Sequence, residues 1–189
     1  MKQELSPHQL VRMAIMLTLL IVSARLVIPL PLLDYISLQI VIIYLIFPIL
    51  GLKKGLMVSI VYLIVGLLGV PIFAAGGGIY YVFKPTFGFL LAFSLFPLIQ
   101  YSIRKIPIKM NETFKIFCSN YAALIVIHFA GILYKFFILN ITMDGNLYQV
   151  SAILTISTII DFASDIFLVT LASIMELTIK NLNFCLAKN

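Results

Sequence analysis

Long apolar runs alternate with short polar segments along the whole chain. A helix needs about 20 apolar residues to cross a hydrocarbon layer of about 30 Å, and most of the runs approach that length. Prolines, glycines and clustered basic residues mark the interruptions between them. The pattern predicts one membrane domain over residues 1–189, with six spans at 10–28, 36–50, 56–70, 85–103, 114–139 and 149–180.

The composition agrees with a membrane environment. Hydrophobic residues make up 62% of the 189 residues, charged residues 11%, and the mean hydropathy is +1.15. A soluble domain carries about 25% charged residues because water must wet its surface. We therefore expect an all-α integral membrane protein that passes repeatedly through the cell membrane.

The basic residues predict the orientation of the spans, because cytoplasmic loops of membrane proteins are enriched in Lys and Arg. With both termini in the cytoplasm, ten of the 13 basic residues lie on the inner side. These ten are Lys2, Arg12, Lys53, Lys54, Arg104, Lys105, Lys109, Lys115, Lys180 and Lys188. Arg25, Lys84 and Lys135 then lie on the outer side, where long cationic side chains usually extend toward the headgroups. No basic stripe with interleaved aromatic residues is present, so no nucleic-acid partner is expected.

Residues 71–84 form an unusual connection between the third and fourth spans. Three consecutive glycines (76–78) precede Tyr81 and Lys84. The predicted topology places this segment outside the cell, and mobile glycine-hinged loops commonly cover ligand sites. We predict a lid in which Gly77, Gly78 and Tyr81 contact a ligand and the Lys84 ammonium meets a ligand carboxylate.

Two acidic residues, Asp161 and Asp165, interrupt the sixth span. Residues four apart share one face of a helix, and a charge inside a membrane costs roughly 2.5–3.5 kcal/mol on insertion scales. A proton, a cation or the N–H donors of a ligand would relieve their mutual repulsion. We predict that both carboxylates bind substrate, with Gln39 adding a neutral hydrogen bond. The alternative is a structural hydrogen bond to a neighbouring helix, and His128 in the fifth span is expected to be a packed core histidine.

No zinc-protease, nucleophile-elbow or nucleotide-binding motif is present, and the cysteines form no metal-ligand cluster. The sequence therefore predicts no enzyme, no cofactor and no metal, and active transport would need an external energy source. Two other readings stay open. In the first, the chain is an intramembrane enzyme that uses Asp161, Asp165 or His128. In the second, it is a secondary carrier in which the two aspartates form a proton site.

Three patches of sequence resemble the BioY family, the biotin-binding S components of energy-coupling factor (ECF) transporters. Residues 14–31 read AIMLTLLIVSARLVIPLP, and residues 36–39 read ISLQ. The most specific patch lies within residues 62–93 and reads YLIVGLLGVPIFAAGGG, followed after six residues by PTFGFLLAF. Together the patches cover most of residues 14–93, whereas the C-terminal half is similar mainly in the layout of its spans.

The resemblance implies a six-helix S component that captures biotin from outside the cell. Its partners would be the vitamin, the lipid bilayer, a membrane-coupling T subunit and two ATPase subunits. The family's Ala-x-x-x-Ala motif falls on Ala14 and Thr18, and small residues allow helices to approach closely. This face is expected to dock on the T subunit. A lipoate-like acid is the alternative ligand in the same class.

The chain departs from the family at two positions that bear on the ligand. The family's sixth helix carries Gly-Asp-x-x-Lys, in which Asp165 is kept while Leu168 stands at the Lys position. Lys84 stands where the family usually has Gly before Pro-Thr. Either the cation has moved from the sixth helix to the loop, or the ligand has changed.

Overall fold

The structure, a computed structural model, describes residues 6–29, 35–107, 111–142 and 147–186. Within these ranges the chain forms six α-helices, one 3-10 helix and one pair of short strands. The elements are α1 (Pro7–Arg25), β1 (Val27–Pro29), β2 (Tyr35–Ser37), α2 (Gln39–Leu67), the 3-10 helix Ile79–Phe83, α3 (Phe87–Ser94), α4 (Phe96–Lys105), α5 (Glu112–Thr142) and α6 (Leu147–Leu186).

α1 begins with a capping box and is followed by a short strand. The Ser6 side chain accepts from the Gln9 backbone while the Gln9 side chain accepts from the Ser6 backbone, which satisfies two amides that the helix leaves free. The helix ends at Arg25, three residues before the predicted end of the first span. β1 pairs antiparallel with β2 there, because β-branched residues before a proline favour extended backbone. The sequence did not predict this short strand pair, and the other long elements are helical, as expected.

The chain reverses direction inside α2. Gly51 has a φ of 75° and is the one residue of this helix with non-helical backbone angles, a conformation that favours glycine. A Cβ atom on Gly55 would lie 3.0 Å from Cγ2 of Ile46, although nine residues of straight helix rise about 13 Å. The two halves of α2 therefore fold against each other. The predicted turn over residues 51–55 is confined to Gly51, and the residues after it are helical.

A second break separates α3 from α4. The two helices meet at Leu95 with a bend of 54°. Pro97 lies in the first turn of α4, where its ring would clash with the carbonyl of Phe93 if one helix continued. The sequence predicted a single span over residues 85–103, and the structure breaks it at Leu95.

The segment between α2 and α3 packs against the helices. Phe73 is buried, and its ring contacts those of Tyr62 at 5.4 Å and Tyr81 at 4.8 Å in edge-to-face geometry, which aromatic pairs prefer. From α5, the Tyr134 hydroxyl donates to the carbonyl oxygen of Val82. These contacts hold the segment against both α2 and α5.

Polar side chains join residues 112–135 of α5 to residues 161–180 of α6, and we call this contact the α5–α6 seam. Residues farther along α5 contact residues earlier in α6, as expected for antiparallel helices. Polar contacts between membrane helices contribute about 0.6 kcal/mol each on average. The seam pairs are Glu112–Lys180, Asn120–Ser173, Tyr121–Thr170, His128–Asp165 and Lys135–Asp161.

Several of these helices can cross a membrane. Within the described residues, four have the required length and apolar character: Pro7–Arg25, Gln39–Leu67, Glu112–Thr142 and Thr158–Leu182 within α6. The bent pair α3 and α4 makes a fifth if it counts as one broken span. The chain is thus a multi-pass membrane protein built from α-helices.

Candidate functional site

A cleft opens between α2, α3 and α6 beneath the segment that joins α2 to α3. Its cavity volume is about 80 Å³, below the roughly 300–1,000 Å³ that small-molecule sites occupy. Both apolar and polar side chains face it. The lining residues are Ser37, Gln39, Ile40, Phe73, Ala74, Tyr81, Thr86, Phe89, Leu90, Phe93, Asp161 and Asp165.

The two aspartates of α6 form the acidic wall of this cleft. Asp161 and Asp165 lie one turn apart, so both carboxylates reach the same cavity. Each faces a side chain from α5 in the α5–α6 seam. Oδ2 of Asp165 lies 3.5 Å from Nε2 of His128, and Oδ2 of Asp161 lies 3.8 Å from Nζ of Lys135. The carboxylates therefore have different neighbours behind them.

His128 is the packed histidine that the sequence predicted, and it also faces a carboxylate. Its ring is 3% exposed and stands edge-on to Phe89 at 5.6 Å and Phe162 at 5.0 Å. Nδ1 lies 3.1 Å from the carbonyl oxygen of Leu124, and a carbonyl only accepts, so Nδ1 carries the hydrogen. One further proton, on Nε2 or on the Asp165 carboxyl, makes their contact attractive. Nε2 has no hydrogen-bond partner among the described residues.

The opposite wall presents an unpaired donor. Gln39 is 5% exposed, and its Nε2 has no hydrogen-bond partner within the part of the chain that the structure describes. The hydroxyl of Tyr44, farther along α2, is also buried and unpaired there, but Tyr44 does not line the cleft. A buried polar group without a partner costs about 1–3 kcal/mol. The unpaired donor of Gln39, which does line the cleft, indicates a site that a ligand completes.

The loop residues divide into two groups. Tyr81 lines the cavity as expected, whereas Gly77 and Gly78 are not among its lining residues. A Cβ atom on Gly77 would lie 2.3 Å from the carbonyl oxygen of Val70, and Gly78 has a φ of 99°. The two glycines allow the chain to turn and to approach Val70 closely. Their contribution to the cleft is to shape the segment above it.

Lys84 also lies outside the cavity lining. Its Nζ donates to the carbonyl oxygen of Ala75 at 2.9 Å and stands 4.8 Å from the ring centroid of Tyr81. Arg25 behaves similarly, since its guanidinium donates to the carbonyl oxygen of Phe73 at 3.4 Å. Two of the three predicted outer cations thus bind backbone carbonyls of the segment that covers the cleft.

The Lys135 side chain lies in a different environment from the one that the sequence predicted. It was expected to extend toward the headgroups, but its side chain is 2% exposed and faces Asp161. Charged side chains inside a membrane protein usually turn toward the bundle interior and pair there. Its position in the sequence could have indicated this burial, because Lys135 lies seven residues before the end of α5, about 10 Å from that end. Leu168, at the position of the family's Lys, is buried at 5% exposure.

A second polar cluster, which the sequence did not reveal, lies at the other end of the α5–α6 seam. Arg104 makes a two-pronged contact with Glu176, at 2.6 and 2.8 Å. Its guanidinium also donates to Ser119 and to Asn120, each at 3.0 Å. Glu176 is eleven residues beyond Asp165 on α6, about 16 Å away. This cluster is separate from the cavity.

The predicted docking residues lie on the surface of α1. Ala14 and Thr18 are both exposed, and the Thr18 hydroxyl donates to the Ala14 carbonyl at 3.0 Å. This internal bond satisfies the hydroxyl within its own helix. The surface here is therefore shallow and carries no polar group that needs a partner.

Apolar helices around a cavity with a polar wall define a membrane protein that binds a small molecule. Sequence comparison gives the family: the BioY family model matches residues 1–183, and the chain belongs to this family. It is 37% identical over 145 residues to the "Probable biotin transporter BioY" of Lysinibacillus sphaericus, which covers 76% of this chain and 72% of that protein. The chain is thus a transport protein and not an enzyme.

Solved structures share the fold. The crystal structure of the S-component for biotin from an ECF-type ABC transporter superposes with a TM-score of 0.63 at 21% identity, covering 93% of this chain and 94% of the other. The S component described in "Structure and mechanism of the S component of a bacterial ECF transporter" gives 0.54 at 20% identity, covering 96% and 98%. The resemblance noted in the sequence is confirmed by the family match, and these structures show the shared fold.

Proposed function

We propose that this chain is the substrate-capture component of an ECF-type importer and that its ligand is biotin. The observation that carries this proposal is the cleft, which places an unpaired amide donor opposite two carboxylates within a transport-family fold. The relative from Lysinibacillus sphaericus and one of the similar structures are both described with biotin. These descriptions support the choice of ligand.

The cleft matches a ureido head group. Such a group has two N–H donors and one carbonyl acceptor. The carboxylates of Asp161 and Asp165 accept from the N–H groups, and Nε2 of Gln39 donates to the carbonyl. Tyr81, Phe89 and the other apolar lining residues enclose the ring and tail. Charge-assisted hydrogen bonds of this kind are about twice as strong as neutral ones.

The segment over the cleft acts as an external lid. Gly77 and Gly78 provide the turn on which it moves, and Tyr81 closes on the ligand from above. The ammonium of Lys84 leaves the Ala75 carbonyl and pairs with the ligand carboxylate at the mouth. Its position beside Tyr81, a cavity residue, supports this role.

Six membrane crossings follow if the two halves of α2 count separately and α3 with α4 form one bent span. Both termini are then cytoplasmic, in agreement with the positions of the basic residues. The exposed strip at Ala14 and Thr18 docks on the T subunit, and two ATPase subunits drive release of biotin into the cell. The protein works in the cell membrane.

Uptake measurements test this proposal. Proteoliposomes containing the chain, a T subunit and two ATPase subunits should accumulate labelled biotin when ATP is supplied. Omission of the ATPases, or an ATPase variant that binds but does not hydrolyse ATP, should abolish accumulation. Uptake of lipoate instead of biotin would identify the ligand as the alternative, lipoate-like acid. ATP-independent uptake by the chain alone would contradict the S-component role.

A further inference from the structure

We propose that Lys135 is a positioning residue for the ligand's uncharged head group. It acts from behind the cavity wall by keeping Asp161 ionised and oriented, and it does not contact the ligand's carboxylate. This inference rests on the proposed function and assigns a role to a residue outside the cavity lining.

The placement of the two side chains carries the argument. Nζ of Lys135 lies 3.8 Å from Oδ2 of Asp161. The Asp161 side chain is 15% exposed and lines the cleft, whereas the Lys135 side chain is 2% exposed and does not. The carboxylate thus stands between the ammonium and the ligand space. Each residue makes further interactions, so the pair is part of a larger contact.

The ammonium determines what the carboxylate offers to a ligand. A carboxyl group in an apolar interior tends to bind a proton unless a cation or donors stabilise its charge. With Lys135 behind it, Asp161 stays an acceptor with full charge. Asp165 faces the imidazole of His128 instead. One wall therefore carries two acceptors with different partners.

The same arrangement determines which end of an acid ligand faces this wall. A ligand carboxylate there would meet Asp161 and Asp165, and like charges a few ångströms apart repel strongly where water is scarce. A head group with N–H donors relieves that repulsion. The acid end must then point toward the mouth, where Lys84 lies.

Two ligands and three variants test the inference. Biotin and its methyl ester share the head group, but only biotin carries a carboxylate. Lys135→Met should raise the Kd of both by the same factor, about tenfold to a hundredfold, the range for a lost charge-assisted hydrogen bond. Lys135→Arg should stay within about threefold of the unmodified chain, since a cation is retained. As the matched control, Lys84→Met should weaken biotin and leave the ester unchanged.

A double-variant comparison separates positioning from general damage. If Lys135 acts through Asp161, the variant Lys135→Met with Asp161→Asn should bind no more weakly than Asp161→Asn alone. The double variant removes both charges and so leaves no unpaired carboxylate in the interior. Together with the Lys135→Arg result, it tests the positioning role even if Lys135→Met alone does not fold.

Three outcomes would contradict the inference. A loss for biotin without a loss for the ester would mean that Lys135 contacts the ligand's carboxylate. Additive losses in the double variant would mean that it acts independently of Asp161. Failure of the unmodified chain to bind either ligand would overturn the proposed function itself, and this inference with it.

Discussion

Nε2 of His128 on α5 lies 3.5 Å from Oδ2 of Asp165 on α6, toward the cavity end of the α5–α6 seam. The seam continues to Lys135 and Asp161 at that end and to Asn120 and Ser173 at the other. Polar contacts in a membrane hold helices together because lipid offers no other partner. The last two steps of this seam also provide the acidic wall of the cleft, so one helix pair stabilises the fold and forms the site.

The Asp165 carboxylate is expected to be central to binding. Asp165→Asn keeps the shape of the side chain but removes its charge, so biotin affinity should fall about tenfold to a hundredfold. Isothermal titration in detergent measures the change. Thr178→Ala is the control, because the exposed Thr178 hydroxyl bonds the carbonyl of Ile174 within α6 at 2.9 Å, away from the cleft, and should not affect affinity. Equal affinities for Asp165→Asn and the unmodified chain would remove Asp165 from the site.

Gln39 should affect affinity and stability differently. Because its buried Nε2 has no partner among the described residues, Gln39→Leu removes an unpaired donor and should leave the unfolding temperature unchanged or higher. Biotin affinity should fall about twofold to tenfold, the value of one neutral hydrogen bond. Thermal unfolding and titration on the same sample measure both. Loss of stability without loss of affinity would indicate a structural role.

The Arg104–Glu176 pair should stabilise the fold without affecting the ligand directly. Glu176→Gln breaks a buried two-pronged contact, so the free energy of unfolding should fall by about 3 kcal/mol. The matched control is Glu112→Gln at the exposed Glu112–Lys180 contact, where no measurable change is expected. Unfolding in mixed micelles reports both. Similar effects from the two variants would argue against a buried network.

The α1 surface should separate binding from transport. Ala14→Leu with Thr18→Leu adds bulk to an exposed strip that small residues now keep shallow. Titration in detergent should give an unchanged biotin Kd, while co-purification with the T subunit and ATP-driven uptake should fall about tenfold or more. Ile15→Leu, at an exposed neighbour, is the control and should transport normally. Unimpaired uptake by the double variant would place the docking surface elsewhere.

The sequence predicted the membrane class and the helical architecture because apolar length is a direct physical requirement for crossing lipid. It separated two spans at residues 51–55, but it did not predict that the reversal is confined to Gly51 or that a bend lies at Leu95. The reversal at Gly51 and the bend at Leu95 depend on packing between distant segments, such as the approach of Ile46 to Gly55. The strand pair after α1 was missed because three-residue strands are too short to show a periodic pattern.

The sequence revealed candidate site residues whose type is costly in a membrane. It did not reveal residues whose role depends only on how the helices pack. Asp161 and Asp165 stood out because acids in apolar spans are rare, and the structure brings both to one cavity with Gln39 and Tyr81. Lys135 was assigned to the surface because the count of basic residues concerns loops, whereas burial depends on the facing helix. The spacing of its partner across the α5–α6 seam is invisible in sequence.

Equilibrium binding of radiolabelled biotin to the purified chain in detergent tests the central claim most directly. We expect saturable binding of one biotin per chain, with lipoate a weak competitor because it lacks N–H donors for the two carboxylates. Binding should fail in Asp161→Asn with Asp165→Asn, where the acidic wall is gone. Absence of saturable binding, or displacement of biotin by lipoate at equal concentration, would contradict the account.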